Sequence, residues 1–276
     1  MKKLTMWTKD MRTFCRNTKV DGISALRIGV CVISLIALVG CGLKTSKADE
    51  TANKGGRGES ATDSHVDIGE LKKTNSDIFA WLYIPDTEID YPVLQNDHGD
   101  DSFYKDHNML KEPDPNGALY IEAANLTNMC DFNEIIHGSS PSDGTMFAGL
   151  GKFLDRTYFE ERPYIYCYLE GNALIYYTFA AYTRNNNRML EQYDFTNAHG
   201  CQDFLDEIYS SRSMNKIIRS GWENAVTPKN FIITLVTQDP ADPSKQIVLV
   251  GCLVGDVAGT IDRDIDYSDP GSESGW

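Results

Sequence analysis

The chain has 276 residues, 41% of them hydrophobic, enough for one medium domain with extensions and too apolar for a chain disordered throughout. Its 26 Lys and Arg face 40 Asp and Glu, a formal net charge of −14. That balance argues against nucleic acid as a partner, because binding phosphates needs clustered Lys and Arg.

The cations are concentrated at the front. Lys2, Lys3, Lys9, Arg12, Arg16, Lys19 and Arg27 precede an apolar run over residues 28–43, with only Asp10 and Asp21 opposing them. A basic flank, an apolar run and a polar downstream segment form the pattern of an export signal or membrane anchor with its basic end inside, so the rest is expected outside the cytoplasm. The run is short against the roughly 17–25 residues of a bilayer-spanning helix. Leu38-Val39-Gly40-Cys41 resembles a bacterial lipobox, which would make Cys41 the lipidated mature N-terminus; an uncleaved anchor is the alternative. Either way residues 1–43 tether the chain to the cell membrane.

Residues 44–65 are rich in Gly, Ser, Thr and charge, and read as a flexible linker that cannot bury enough surface to offset its chain entropy. A folded domain is expected over 66–258 and an acidic disordered tail over 259–276. Of seven cysteines, Cys130, Cys167, Cys201 and Cys252 fall in the domain without CxxC spacing, so no metal site is expected. They read as small buried hydrophobes, with a disulfide among them left open. No Gly-rich phosphate loop is present, and no cofactor is expected.

Within the domain, residues 66–73 suggest a short helix. Strands follow at 80–84 and 88–94 around the turn Pro85-Asp86-Thr87. Further strands are predicted at 117–122, 134–137, 164–169, 173–184, 231–237 and 246–254, with helical pieces at 146–153 and 202–211. Many short strands with minor helices favour a mainly β barrel or sandwich. The last two strands are continuous apolar runs joined by a loop holding Pro240 and Pro243, where a rigid scaffold can hold reactive groups. The polar residues flanking that loop are Gln238 and Gln246, neither of them a nucleophile nor a base.

The order of motifs resembles the class B sortases, membrane-anchored cysteine transpeptidases of Gram-positive bacteria that attach surface proteins to the cell wall. Asn75 through Pro85, Thr87 through Gln95 and Asn116 through Glu122 carry the resemblance, with Asn133-Glu134-Ile135-Ile136, Asp143-Gly144-Thr145-Met146-Phe147, Leu150 and Thr234-Leu235-Val236-Thr237. It implies a closed eight-stranded β-barrel with short helices on its rim and a groove for a sorting-signal peptide. The chemistry it implies needs a Cys thiolate as nucleophile, a His as general acid and base, and an Arg that steadies the substrate or oxyanion.

All three positions are replaced here. The Cys position, directly after Thr237, is Gln238. A gapless match from Asn133 to Phe147 places His137 at the family's Tyr, Gly138 at its Gly and Ser139 at the catalytic His. Sliding the match to make His137 catalytic requires two extra loop residues and loses the Gly. The Arg position falls on Gln246, beside Lys245, and a lysine does not reproduce the Arg fork. Ser139 and Thr237 read as the only hydroxyls at the site, and no catalytic residue of the usual kind is expected. The reading favoured by the triple replacement is an extracytoplasmic scaffold without transpeptidase activity, binding a sorting-signal peptide or a surface or pilin protein. The alternative is a hydrolase or transpeptidase using Thr237 or Ser139 with His137.

Overall fold

A computed structural model describes residues 66–96, 98–210 and 215–261. The expected signal, lipobox, linker and most of the expected tail lie outside these residues. Helix α1 (Ile68–Thr74) leads in, its first turn closed by Asp67 accepting from the Glu70 amide at 3.0 Å. Strands β1 (Ile78–Tyr83) and β2 (Asp90–Leu94) then pair antiparallel. In the turn between them Asp86 takes φ 58°, and the Thr87 hydroxyl donates to the Ile84 carbonyl at 2.8 Å while accepting from the Ile89 amide. A short polar side chain that tolerates the left-handed region and a hydroxyl that bonds its own backbone explain why this triplet reverses the chain.

The remaining strands are β3 (Leu119–Tyr120), β4 (Asn133–His137), β5 (Tyr164–Leu169), β6 (Asn172–Asn185), β7 (Ile217–Ile218), β8 (Ile232–Gln238) and β9 (Lys245–Asp256). Their order is β5-β1-β2-β3-β4-β8-β9-β6, and β5 pairs with β6, which closes an eight-stranded barrel; β7 lies on β6 outside the ring. Strand β6 can serve both neighbours because its ladder to β9 shifts register at Ile175/Tyr176 and at Thr178/Ala180. Such bulges bend a long strand and let a sheet curl shut. At Gly251 of β9 a Cβ would meet the Tyr176 Cβ at 3.0 Å and Ile233 at 3.2 Å, so the bare backbone permits the close approach of β6 and β8.

Every residue of β8 up to Thr237 is buried, as are Gln246 to Leu253 of β9. These two central strands therefore read as continuous apolar runs without alternation. Leu82, Ile135, Leu174, Leu235 and Leu249 pack into one core, each contributing about 1.5–3 kcal/mol by burial. Strand β4 runs parallel to β8 with His137 opposite Val236, and β8 runs antiparallel to β9 with Gln238 opposite Gln246. These pairings gather the ends of three strands at one mouth of the barrel.

Several elements differ from the sequence reading. The strand expected at 117–122 shrinks to two residues, because Gly117 turns at φ 63° against the Tyr104 and Lys105 carbonyls. The helical piece expected at 146–153 is a 3-10 helix, Ala148–Leu154. It is followed by an unanticipated α2 (Arg156–Glu161), capped by Asp155 accepting from the Tyr158 amide. Helix α3 (Met189–Gln192) and β7 were also not anticipated; neither is long enough to show a period. Helix α4 (Ala198–Ser210) begins four residues earlier than the expected 202–211. Gly259, Thr260 and Ile261, assigned to the tail, are still attached: Thr260 donates to Asp256 at 2.8 Å and Ile261 packs on the core.

Cys130, Cys167, Cys201 and Cys252 are all buried, and no disulfide forms among them. Burial pushes the Cys252 thiol up to about 12 and the Cys167 thiol higher still, the latter also facing Glu134. The thiolate is the reactive species. Iodoacetamide at about pH 8 is therefore expected to leave these four thiols unlabelled in the native protein and to label all of them in denaturant. Peptide mass mapping reads the difference, and native labelling at any of the four would show that the fold leaves a reactive thiol accessible.

Candidate functional site

A groove of about 720 Å³ opens at this mouth of the barrel, and Ser139, Gln238 and Gln246 all line it, together with His137 and Thr237. Each of the first three spends its side chain on the backbone of a rim loop. The Ser139 hydroxyl donates to the Asn116 carbonyl at 2.5 Å. The Gln238 amide donates to the Pro243 carbonyl at 3.0 Å, closing the β8–β9 connection. The Gln246 amide donates to the Asn187 carbonyl at 3.1 Å, tying β9 to the loop after β6. Lys245 does not line the groove; its ammonium donates to Asn185 Oδ1 at 2.6 Å.

His137 ends β4 with its ring stacked on Tyr120 at 5.2 Å and Nε2 3.1 Å from Glu122 Oε1. That spacing suits an ion pair, but the ring nitrogen is off the line of a hydrogen bond and is closed to solvent. Glu122, almost fully buried, is also gripped by Arg188 from the opposite wall. Burial opposes its ionisation, yet His137 and Arg188 hold its carboxyl below the usual range. Burial and the nearby Glu122 push the Tyr120 phenol up to about 12, so it stays protonated.

As hydroxyl nucleophiles, Ser139 and Thr237 are poorly placed. The Ser139 proton is committed to a backbone carbonyl, and Thr237 Oγ1 is buried without a partner among the described residues. Neither bonds His137, whereas an activated hydroxyl needs a base within hydrogen-bond reach. They are also not the only hydroxyls here, since Ser102, Ser140 and Tyr120 line the same groove. Three rim segments distant in sequence contribute these groups, which spacing along the chain does not reveal. Among the described residues no group of three or more His, Cys, Asp or Glu could hold a metal ion.

No family model matches the chain. It is 32% identical over 176 residues to sortase B of Listeria monocytogenes, an alignment covering 63% of this chain and 67% of that protein. The chain belongs to the sortase B family. Among solved structures, Clostridium perfringens sortase B superposes with a TM-score of 0.60 at 27% identity, covering 68% of this chain and 99% of that one. The Staphylococcus aureus sortase B–substrate complex superposes at 0.58 with 27% identity, covering 68% and 84%.

In this sortase B homologue Ser139, Gln238 and Gln246 line one groove. The signal for Glu122 was present, because it ends the motif Asn116 through Glu122. Arg188 carried none: it follows three asparagines in a polar loop and meets Glu122 across 66 positions of sequence.

Proposed function

We propose that this sortase B-like protein is a peptide-binding or scaffold protein at the extracytoplasmic face of the membrane, without cysteine transpeptidase activity. The observation that carries the reading is the use made of the three matched positions. All three line the groove, and all three donate to loop carbonyls of its rim. An amide at Gln238 cannot form an acyl-enzyme, and a serine at Ser139 cannot shuttle a proton near neutral pH as imidazole does. Hydrogen bonds from side chain to loop stiffen the walls of a groove, which favours binding by lowering the entropy lost when a peptide docks. The occupant that fits is an extended peptide of the sorting-signal class or a surface or pilin protein that carries one. The membrane location rests on the basic and apolar pattern of residues 1–43. Among the described residues no helix is long and apolar enough to cross a membrane.

The experiment is fluorescence anisotropy with a labelled sorting-signal peptide of the kind sortase B enzymes process, followed by mass spectrometry of the same mixture. Saturable binding with the peptide intact is expected. Cleavage that survives Gln238→Ala, or a covalent adduct at a Ser, Thr or Cys, would instead establish an enzyme of altered chemistry.

A further inference from the structure

Arg188 stands out in the groove because its charge is held in place while part of its donor capacity is unused. A guanidinium offers five N–H donors in a fixed plane. Nη2 donates to Glu122 Oε2 and, at 3.3 Å, to Asp101 Oδ2, and Nη1 donates to Glu191 Oε1 at 2.9 Å. Among the described residues the Nε hydrogen and the second Nη1 hydrogen have no acceptor, on a side chain that is 50% exposed.

The mount is rigid. The Asn186 amide donates to the Ser244 carbonyl at 2.9 Å and its side chain to the Pro243 carbonyl at 3.2 Å. The Asn187 carbonyl accepts from both Gln246 and Arg184, at 3.1 and 3.2 Å. Arg188 is the next residue, so its backbone is fixed on one side by four hydrogen bonds before the side chain crosses to Glu122. The other cation lining the groove, Lys105, sits exposed on a flexible stem and loses more freedom on meeting a ligand.

We propose that Arg188 is the residue through which this groove holds its ligand, by donating to a main-chain carbonyl of a bound peptide. The proposal rests on the peptide-binding reading above and names its contact. A carbonyl is favoured over a carboxylate for two reasons. Glu122, Asp101 and Glu191 already surround the guanidinium, three negative charges against one positive, so another anion is repelled. The unused donors, on Nε and Nη1, do not share an edge of the fork, so they suit single acceptor oxygens and not a bidentate carboxylate. Gln246 acts as a positioning residue, holding the carbonyl next to Arg188.

Two measurements test this. In the first, the labelled sorting-signal peptide is titrated against the full chain and against Arg188→Gln and Arg188→Lys. Loss of a hydrogen bond from a charged donor is expected to weaken binding at least about tenfold in Arg188→Gln, with Arg188→Lys recovering only part of it. In the second, the side-chain Nε–H resonance of Arg188, assigned by its disappearance in Arg188→Lys, is followed while N-methylacetamide, a bare amide carbonyl, is added to the native chain. A saturable shift beyond that of the surface residue Arg156 is expected. Peptide binding by Arg188→Gln within about twofold of native overturns the Arg188 contact and leaves the peptide-binding reading intact. A native chain that binds no peptide defeats that reading, and the amide titration then decides Arg188 alone: a shift no larger than that of Arg156 rejects it. The same titration decides the matter if Arg188→Gln does not fold.

Discussion

A chain carrying Gln238→Cys, Ser139→His and Gln246→Arg together is expected to form a thioester with a sorting-signal peptide, whereas the native chain is expected to bind the peptide and release it intact. The native side chains at these positions line one groove, and Gln238 faces Gln246 across the β8–β9 ladder. The restored thiolate would attack the peptide carbonyl, the scissile amide bond would break, and the imidazolium would protonate the departing amine. Gln238→Cys alone is expected to give little product. A thiol with an ordinary pKa is only a few per cent thiolate at pH 7, and a missing general acid costs about 10²–10⁴ in rate. A missing oxyanion-type donor costs roughly another 10²–10³. The triple variant gives up three side-chain bonds to loop carbonyls, each worth about 0.5–1.5 kcal/mol, so it should fold with a lower melting temperature. Intact-protein mass spectrometry after mixing with peptide reads the acyl adduct. A folded triple variant that stays inert would mean that the three positions do not converge productively. An adduct on the native chain would mean that a nucleophile lies elsewhere.

That Gln238 and Gln246 face one another was legible because barrel strands carry their own ruler, whereas Ser139 was reached only through the resemblance of motifs. Two continuous apolar runs joined by a short Pro-containing loop must pair as neighbours, and the pairing puts their flanking residues opposite one another. The closed barrel was legible through the ordered set of motifs, more than through periodicity, since the buried faces of β8 and β9 leave no alternation to read. What escaped was short or assembled across the fold. Two-residue β7 and four-residue α3 have no period; β7 exists because β6 supplies its partners, and α3 is a single locally bonded turn. The Glu122–Arg188 contact depends on a loop after β6 folding back over the groove, a tertiary event that local composition does not encode. Likewise His137 is two residues from Ser139 in sequence, yet its nearest charged neighbour is Glu122 and its ring is stacked on Tyr120.

The same loop ties the groove to a remote residue, Glu207. Glu207 lies on α4 and accepts from Arg184 Nε at 2.7 Å, from Arg184 Nη2 and the Tyr182 hydroxyl at 3.2 Å, and from the Tyr193 hydroxyl. Arg184 is 7% exposed, and its other hydrogen bonds go to Gln192 Oε1 and the Asn187 carbonyl next to Arg188. Glu207→Ala strands that guanidinium in the barrel wall, and removing one partner of a buried pair costs about 3–5 kcal/mol. Glu207→Gln keeps an acceptor and should cost less, because the neutral side chain can still bond Arg184 and the tyrosines. Burial opposes the ionisation of Glu207, but the bonds from Arg184 and Tyr193 outweigh it and hold its carboxyl below the usual range. Because the folded pKa is the lower one, the stabilisation is complete above the unfolded value of about 4.3 and is lost as pH falls through the folded value. The gap between native and Glu207→Ala stability should therefore be widest near neutral pH and narrow in acid. Urea unfolding at several pH values checks this, with a fall in midpoint at unchanged slope. A loss below about 1 kcal/mol at neutral pH would show that Arg184 finds other partners or water. With the loss at full size, peptide affinity should fall as well, because the loop that carries Arg188 shares its anchor with Arg184.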